Sequence, residues 1–320
     1  MGRDPKAETV AVVIVTYNRA ELLRGCLAAL AASERPVDAV YVVDNASTDG
    51  TAEVLESWAG LDLRVLRPDH NLGGAGGFDL GVRVAHDGGF DRVWLMDDDV
   101  VPAPDCLAAL LANDGPCLMA VREDRAGRIC EKSAIVFDLA SPLAIKPKRQ
   151  SVEDRYPTRA AMPAEIPLQN VAFEGFMVKR EVLDVVGFPD PRFFIFYDDA
   201  DFALRARRAG FPIVAVRDAV LVRQLDFDQQ QDTRSWKGYF MYRNLFLVHQ
   251  RYGENVLVRL KPWLLTLAVV VFSPLRGGLA EARNVVRALR DSRRLAAQPP
   301  PPPGPGHTGR YTSPDRPKES

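Results

Sequence analysis

The feature that most constrains this chain is a repeated pattern in its first hundred residues. Apolar, β-branched runs alternate with segments of helical spacing, and two of the runs end on acidic residues. Residues 10–16, VAVVIVT, form the first run, of the kind expected for a strand covered on both faces. Leu22, Leu23, Cys26, Leu27 and Leu30 then recur at helical spacing. A second strand is expected at 38–43, closing on Asp44, followed by a helix at 51–58 and a third strand at 62–66. Residues 71–77, NLGGAGG, read as a flexible loop leading into a helix at 78–87. Residues 92–96, RVWLM, run straight into Asp97-Asp98-Asp99. Strands that alternate with helices imply βαβ units, so the expected fold class is α/β with a mostly parallel central sheet flanked by helices. Ligands bind such sheets beyond the carboxyl ends of the strands, where Asp44 and Asp97–Asp99 fall.

The second half is less regular. Residues 138–166 are rich in Pro, Lys, Arg and Ser and read as an exposed loop. A strand at 171–178, a helix at 180–186 and a helix entered through Phe193–Phe202 follow. Two short strands are expected at 212–216 and 219–223, then a long helix near 234–252. The net charge of −1 gives no footing for a nucleic-acid partner. The four cysteines stand singly and read neither as a zinc site nor as a disulfide framework, which fits a reduced, cytoplasmic compartment. Residues 262–275 are the most apolar run but are short for a bilayer span, which needs about 20 residues. With Trp263 and the basic stretch Arg276 to Arg294, they suit peripheral contact with the inner face of a membrane. A core helix packed on the rest of the chain is the competing reading. The five-proline tail reads as disordered. The expected division is therefore a catalytic unit at 1–252, a helical segment at 253–297 and a tail at 298–320.

Adjacent carboxylates repel one another, and a divalent cation among Asp97, Asp98 and Asp99 would relieve that cost. A solvated acidic turn is the plain alternative. Asp44, at a strand end, can accept hydrogen bonds from a base or ribose, whereas Asp49 reads as a helix cap. The glycines of 71–77 allow close backbone approach and offer amides near a helix start, as a diphosphate needs. They do not follow the first strand, so they do not form a dinucleotide fingerprint. Asp198, Asp199 and Asp201 open a helix where acids favour the dipole. The apolar Phe193–Tyr197 before them would raise a carboxyl pKa, as a general base requires. One of the first two is expected to be catalytic and Asp201 to cap. His70, His86 and His249 are isolated and expected to be structural.

The set V-V-I-V-T-Y-N-R, V-V-D-N-A-S-T-D-G-T, N-L-G-G-A-G-G-F, W-L-M-D-D-D and F-Y-D-D-A-D-F, at residues 12–202, resembles glycosyltransferase family 2. Within it, the set is similar to bacterial galactofuranosyl- and rhamnosyltransferases. The resemblance implies a GT-A fold with a C-terminal helical extension. It implies a nucleotide-sugar donor, UDP-galactofuranose or alternatively dTDP-rhamnose, with Mn²⁺ or Mg²⁺ and a polyprenyl-linked glycan acceptor. Carried over by position, Thr16, Tyr17, Arg19 and Asp44 line the nucleotide site, with Asn71, Gly73, Gly74, Asp97 and Asp98 also toward the donor. Asp97 and Asp99 match the metal-binding pair. Asp199 matches the base, with Asp198 its neighbour, and Phe173, Glu174 and Gly175 lie toward the acceptor. Many relatives complete the metal site with a His where this chain has Arg223. A guanidinium cannot ligate a cation but can grip a diphosphate, so Arg223 is expected at the leaving group, with Gln224 or Asp226 as alternative ligands. The larger polymerases of the group carry an N-terminal β-domain. The first strand near residue 10 leads us to expect an enzyme that adds one or two residues. A non-catalytic sugar-nucleotide scaffold is the reading from another class.

Overall fold

A computed structural model describes residues 8–225, 235–273 and 279–300. In chain order the elements are β1 (Val10–Thr16), α1 (Ala20–Ala31), β2 (Ala39–Asp44), α2 (Thr51–Ser57), β3 (Leu63–Leu66), α3 (Gly73–Asp87), β4 (Arg92–Asp97), β5 (Val100–Pro102) and α4 (Cys106–Leu111). Then come β6 (Cys117–Glu123), β7 (Ala134–Phe137), β8 (Lys148–Ser151), α5 (Val152–Arg155), β9 (Glu165–Leu168), β10 (Phe176–Lys179) and α6 (Arg180–Val186). The chain continues through α7 (Asp198–Arg208), β11 (Ile213–Arg223), α8 (Trp236–Tyr252), α9 (Val256–Phe272) and α10 (Ala280–Ala296).

The apolar runs become strands because alternate residues of each run enter two separate cores. Val13, Val15, Tyr41 and Leu95 face one cluster, while Val12, Ile14, Val40 and Trp94 face the other. Helices cover both faces, as an all-apolar strand demands. The main sheet runs β3-β2-β1-β4-β10-β6-β11-β5, with β9 also on β11. β1 to β4 pair in parallel, and β10 runs antiparallel between β4 and β6. β6 and β11 are parallel to each other. The expected α/β class with a mostly parallel sheet is what the chain forms. One edge of the sheet therefore gathers the ends of β1, β2, β4, β6 and β11 together with the start of β10. The site lies at that edge.

Four expectations need correction. The glycine stretch is not a loop: α3 begins at Gly73. Gly81 lies against Val13, which a Cβ there would meet at 2.4 Å, so the glycines bring the helix close to the sheet. Residues 138–166 are not simply an exposed loop. They contain β8, α5 and the first half of β9, and they bury Leu139, Ala144, Val152 and Met162. Leu139, Val152 and Met162 enter the cores at spacings too wide to show a period. The strand expected at 171–178 begins only at Phe176, because Gly175 at φ +106° breaks the extended backbone. The two strands after α7 are one, β11, with a register shift between Val216 and Val220. The proline-rich tail beyond residue 300 and Asp226 lie outside the described residues.

After the sheet, α8, α9 and α10 pack on one another. They form a helical layer joined to the sheet through the turn that precedes α7. Arg243 of α8 donates to the carbonyls of Arg192 (2.6 Å) and Phe193 (2.8 Å). Asn244 donates to those of Phe193 (3.0 Å), Ile195 (2.7 Å) and Phe196 (2.9 Å). That turn needs holding. Phe194, Phe196 and Tyr197 all take positive φ, 63°, 67° and 65°, at a cost of about 1–3 kcal/mol each for residues with side chains.

Candidate active site

Asp97 ends β4, and a tight turn into β5 carries Asp98 and Asp99. The carboxylates diverge. Asp98 is buried, accepting from the Thr16 hydroxyl at 2.7 Å and from Arg19 at 3.0 Å. Burial pushes its carboxyl up to about 6 despite Arg19 and Thr16. Asp98 therefore ties the ends of β1 and β4 together, and its carboxylate is taken up by protein donors rather than turned to a donor nucleotide. Asp97 and Asp99 instead meet Glu174, with one oxygen of each within 4.8 Å of the others. Burial and then the Glu174 carboxylate raise Asp97 well above the usual carboxylate range and raise Asp99 as well, although Arg223 and Arg19 counteract this at Asp99. Asp99 Oδ1 is buried with no hydrogen-bond partner among the described residues. Crowded, buried and oxygen-only, with one oxygen unpartnered, this group fits a hard divalent cation.

Glu174, expected at the acceptor, thus stands among the Asp-turn carboxylates. It is held there by Gly175, whose amide donates to Leu95 O at 2.8 Å and whose carbonyl accepts from Trp94 Nε1 at 3.2 Å. A Cβ on Gly175 would lie 2.3 Å from Leu221, so the bend leaves no room for a side chain there. Phe173, also expected toward the acceptor, is buried against Phe78, Phe176 and Phe202. Arg122, at the end of β6, pairs with Glu131 at 2.8 Å and also with Glu174. Arg223, ending β11, lies 3.7 Å from Asp99 and 3.8 Å from Glu174. Burial pushes Glu174 up, but Arg122 and Arg223 outweigh it and hold the carboxyl below its ordinary value.

At the end of β2, Asp44 is buried, accepting from the Ser47 amide at 2.9 Å and pairing with half-exposed Arg67 at 3.0 Å. Beside it Asn45 joins two motifs: its side chain donates to Gly73 O at 3.1 Å and accepts from Leu72 N at 3.3 Å. Asp49 accepts from both Thr51 and the Ala20 amide, so it serves the starts of two helices. Tyr17 is exposed. Gly73, at φ +72°, packs on the Phe194 carbonyl, 2.2 Å from where its Cβ would be. The Gly73 amide is taken by Asn71 at 2.7 Å and the Ala75 amide by Phe194 O at 3.1 Å. Two of the amides expected to cradle a diphosphate are thus used internally, while Gly74 faces open space.

The turn held by α3 and α8 delivers Asp198 and Asp199 to the same crevice. Burial raises Asp198 well above the carboxylate range, and Asp199 adds to that. Burial takes Asp199 up to about 6, with the Ala200 amide and Lys148 opposing and Glu174 adding. Asp199 thus feels the charges of Glu174, Arg122 and Lys148, which joins the two acidic groups in one electrostatic unit. Asp201 does not cap. It is fully buried, bonded to Arg205 (2.9 Å), Arg251 (3.2 Å) and the Tyr252 hydroxyl (2.6 Å), because its position in the first turn faces α8.

Residues 11–113 match the model of glycosyl transferase family 2. Over 272 residues the chain is 32% identical to galactofuranosyltransferase GlfT1 of Mycobacterium tuberculosis, spanning 80% of this chain and 87% of that one. Over 251 residues it is 30% identical to GlfT1 of Mycolicibacterium smegmatis, spanning 74% and 82%.

The chain belongs to glycosyl transferase family 2.

This family-2 chain is a nucleotide-sugar-dependent glycosyltransferase with a GT-A fold. Among solved structures it is similar in fold to mannosyltransferase PcManGT from Pyrobaculum calidifontis in complex with GDP-Man and Mn²⁺. The TM-score is 0.54 at 20% identity, covering 90% of this chain and 88% of that one. Sequence reasoning missed Arg122, Glu131 and the placement of Glu174 in this glycosyltransferase. A signal was present for Arg122: it closes the apolar run L-M-A-V-R at 118–122, as Asp44 and Asp97 close theirs. Glu131 lies in an irregular segment and offers no such signal.

Proposed function

We propose that this glycosyltransferase moves galactofuranose from UDP-galactofuranose to a polyprenyl-linked glycan, inverting the anomeric centre, in synthesis of a cell-wall galactan. The observation that carries the reading is the pairing, across one crevice, of a carboxylate group fit for a cation with a second carboxylate tuned to about 6. Similarity to proteins named galactofuranosyltransferase supports the sugar. Asp44, Tyr17, Arg19 and the Asn71–Gly74 turn receive the nucleotide. Asp97 and Asp99 hold Mn²⁺ or Mg²⁺, which supplies charge neutralisation for the departing diphosphate. Arg223, beside them, shares that duty. Asp199 takes the proton of the acceptor hydroxyl while that oxygen bonds to the anomeric carbon and the sugar–phosphate bond breaks on the opposite face, releasing UDP. Burial, and then Asp199, hold the neighbouring Asp198 carboxyl above the usual carboxylate range.

The test is a donor screen on a polyprenyl-diphosphate-linked disaccharide, with linkage and anomeric configuration read by NMR. Transfer from UDP-galactofuranose with inversion is expected. Transfer from dTDP-rhamnose alone would reassign the donor. Metal-dependent UDP binding without transfer to any lipid acceptor would make the chain a sugar-nucleotide scaffold.

We also propose that α9 seats the enzyme on the inner face of a membrane. No described helix is long and apolar enough to cross one. Yet Val256, Leu260, Leu264, Leu267 and Val271 leave a stripe of exposed side chains at helical spacing. The neighbouring α10 exposes Arg283, Arg290, Arg293 and Arg294, and Arg293 stacks over Trp263 at 5.0 Å. An apolar stripe flanked by arginines matches an anionic interface. The double substitution Leu264→Glu with Leu267→Glu should lose about 3 kcal/mol or more of binding to phosphatidylglycerol vesicles, measured by co-flotation. The folded sheet should be unaffected, since both side chains are exposed. Equal flotation of the variant and the native chain would remove α9 from the interface.

A further inference from the structure

We infer that Glu174 is the third protein ligand of the cation, giving an all-carboxylate site in which Arg122 and Arg223 orient the ligands rather than replace them. This rests on the glycosyltransferase reading above.

Arg122 and Arg223 both approach the same oxygen of Glu174, Oε2. At Asp99, Arg19 and Arg223 both approach Oδ2, at 3.5 and 3.7 Å, while Oδ1 is buried without a hydrogen-bond partner among the described residues. The guanidiniums thus draw one oxygen of each carboxylate to one side. That leaves Glu174 Oε1 and Asp99 Oδ1 for a common centre with Asp97. Separations within 4.8 Å among one oxygen from each residue match the roughly 3–4 Å spans between ligands that sit 2.0–2.1 Å from an octahedral ion. A buried carboxylate atom left unsatisfied is costly, and a cation is the partner that removes the cost for all three residues at once. Arg223 ends β11 at the level of Val100, so a guanidinium stands where that strand could have supplied a nitrogen ligand. Glu174, placed by the bend at Gly175, fills the gap from β10. An oxygen-only set suits Mg²⁺ and Mn²⁺.

The experiment titrates Mn²⁺ into the full chain with saturating UDP and follows the free-ion EPR signal. Glu174→Gln should weaken Mn²⁺ binding by about tenfold or more, the lower range for removal of a charged ligand contact. Glu174→Asp keeps the charge but retracts the carboxylate by one methylene, and it should not restore affinity. Asp184→Asn, at a half-exposed carboxylate bonded to His86 away from the cluster, should leave Mn²⁺ binding within about threefold, or 0.7 kcal/mol. Native affinity in Glu174→Gln, or full rescue by Asp, would overturn the inference. So would an equal loss in Asp184→Asn. If Glu174→Gln does not fold, the Asp variant decides. Sugar transfer by the native chain is scored separately: transfer with unaltered Mn²⁺ binding in Glu174→Gln rejects this ligand alone. Absent transfer with the expected Mn²⁺ losses rejects the donor reading alone.

Discussion

Asp199→Asn lowers sugar transfer by about a hundredfold or more, the range for loss of a general base, while UDP-sugar affinity persists. The change is nearly isosteric, and Asp199 lies on the α7 side of the crevice, away from the Asp97–Asp99 turn. In the native enzyme the base must be ionised, and burial places its carboxyl at about 6. Transfer should therefore rise with pH through that value, and the variant should lose this limb. The sign for stability is the reverse. A carboxyl raised on folding contributes favourably below its unfolded value and loses that contribution as pH rises through its folded value. At neutral pH the ionised Asp199 is therefore a cost, and Asp199→Asn should melt no lower than the native chain. A pH–rate profile with calorimetry checks both. Full transfer by the variant would move the role to another group, and a product with retained configuration would reject the displacement.

The second large effect is at the opposite wall. Asp99→Asn removes a proposed ligand of the cation that would neutralise the departing diphosphate, an expected loss of about 4 kcal/mol, or roughly a thousandfold in rate. Metal-dependent UDP affinity should fall with it, because cation and diphosphate bind as one unit. Burial and Glu174 raise the Asp99 carboxyl, so by the same linkage its charge is unfavourable at neutral pH and the Asn variant should keep or gain stability. Turnover in the variant, or in the native enzyme with EDTA, read by UDP release, decides the matter. Native rates in either would exclude Asp99 from the metal site.

How much of this was legible in the sequence follows from how each residue is positioned. Val10–Thr16, Ala39–Asp44 and Arg92–Asp97 announced themselves, because strands buried on both faces must be apolar throughout and the acids that end them mark the ligand edge. Asp97 and Asp99 are singled out for that reason and Asp199 for the apolar run before it, with the family resemblance adding their expected roles. That Glu174 meets Asp97 and Asp99 while Phe173 is buried was not legible, because a positive-φ glycine redirects the chain and nothing in F-E-G-F says which way. The glycines of α3 looked like a phosphate loop since close approach to a ligand and close approach to Val13 both call for the same residue. Arg122 and Asn45 act across 52 and 28 positions of sequence, and such pairings leave no local period to read.

The seating of α8 has a consequence for what counts as a folded enzyme. Three residues in a left-handed backbone bring Asp198 and Asp199 to the crevice, and Asn244 alone fixes three of the carbonyls between Phe193 and Phe196. The parallel sheet can complete its hydrogen bonding without that helix, but the turn cannot keep its shape. On the proposed assignment, positioning of the base is thus a property of the chain out to Tyr252. A nascent polypeptide still lacking α8 would carry Asp97 and Asp99 at the strand edge without the contacts that hold the turn before Asp198 and Asp199.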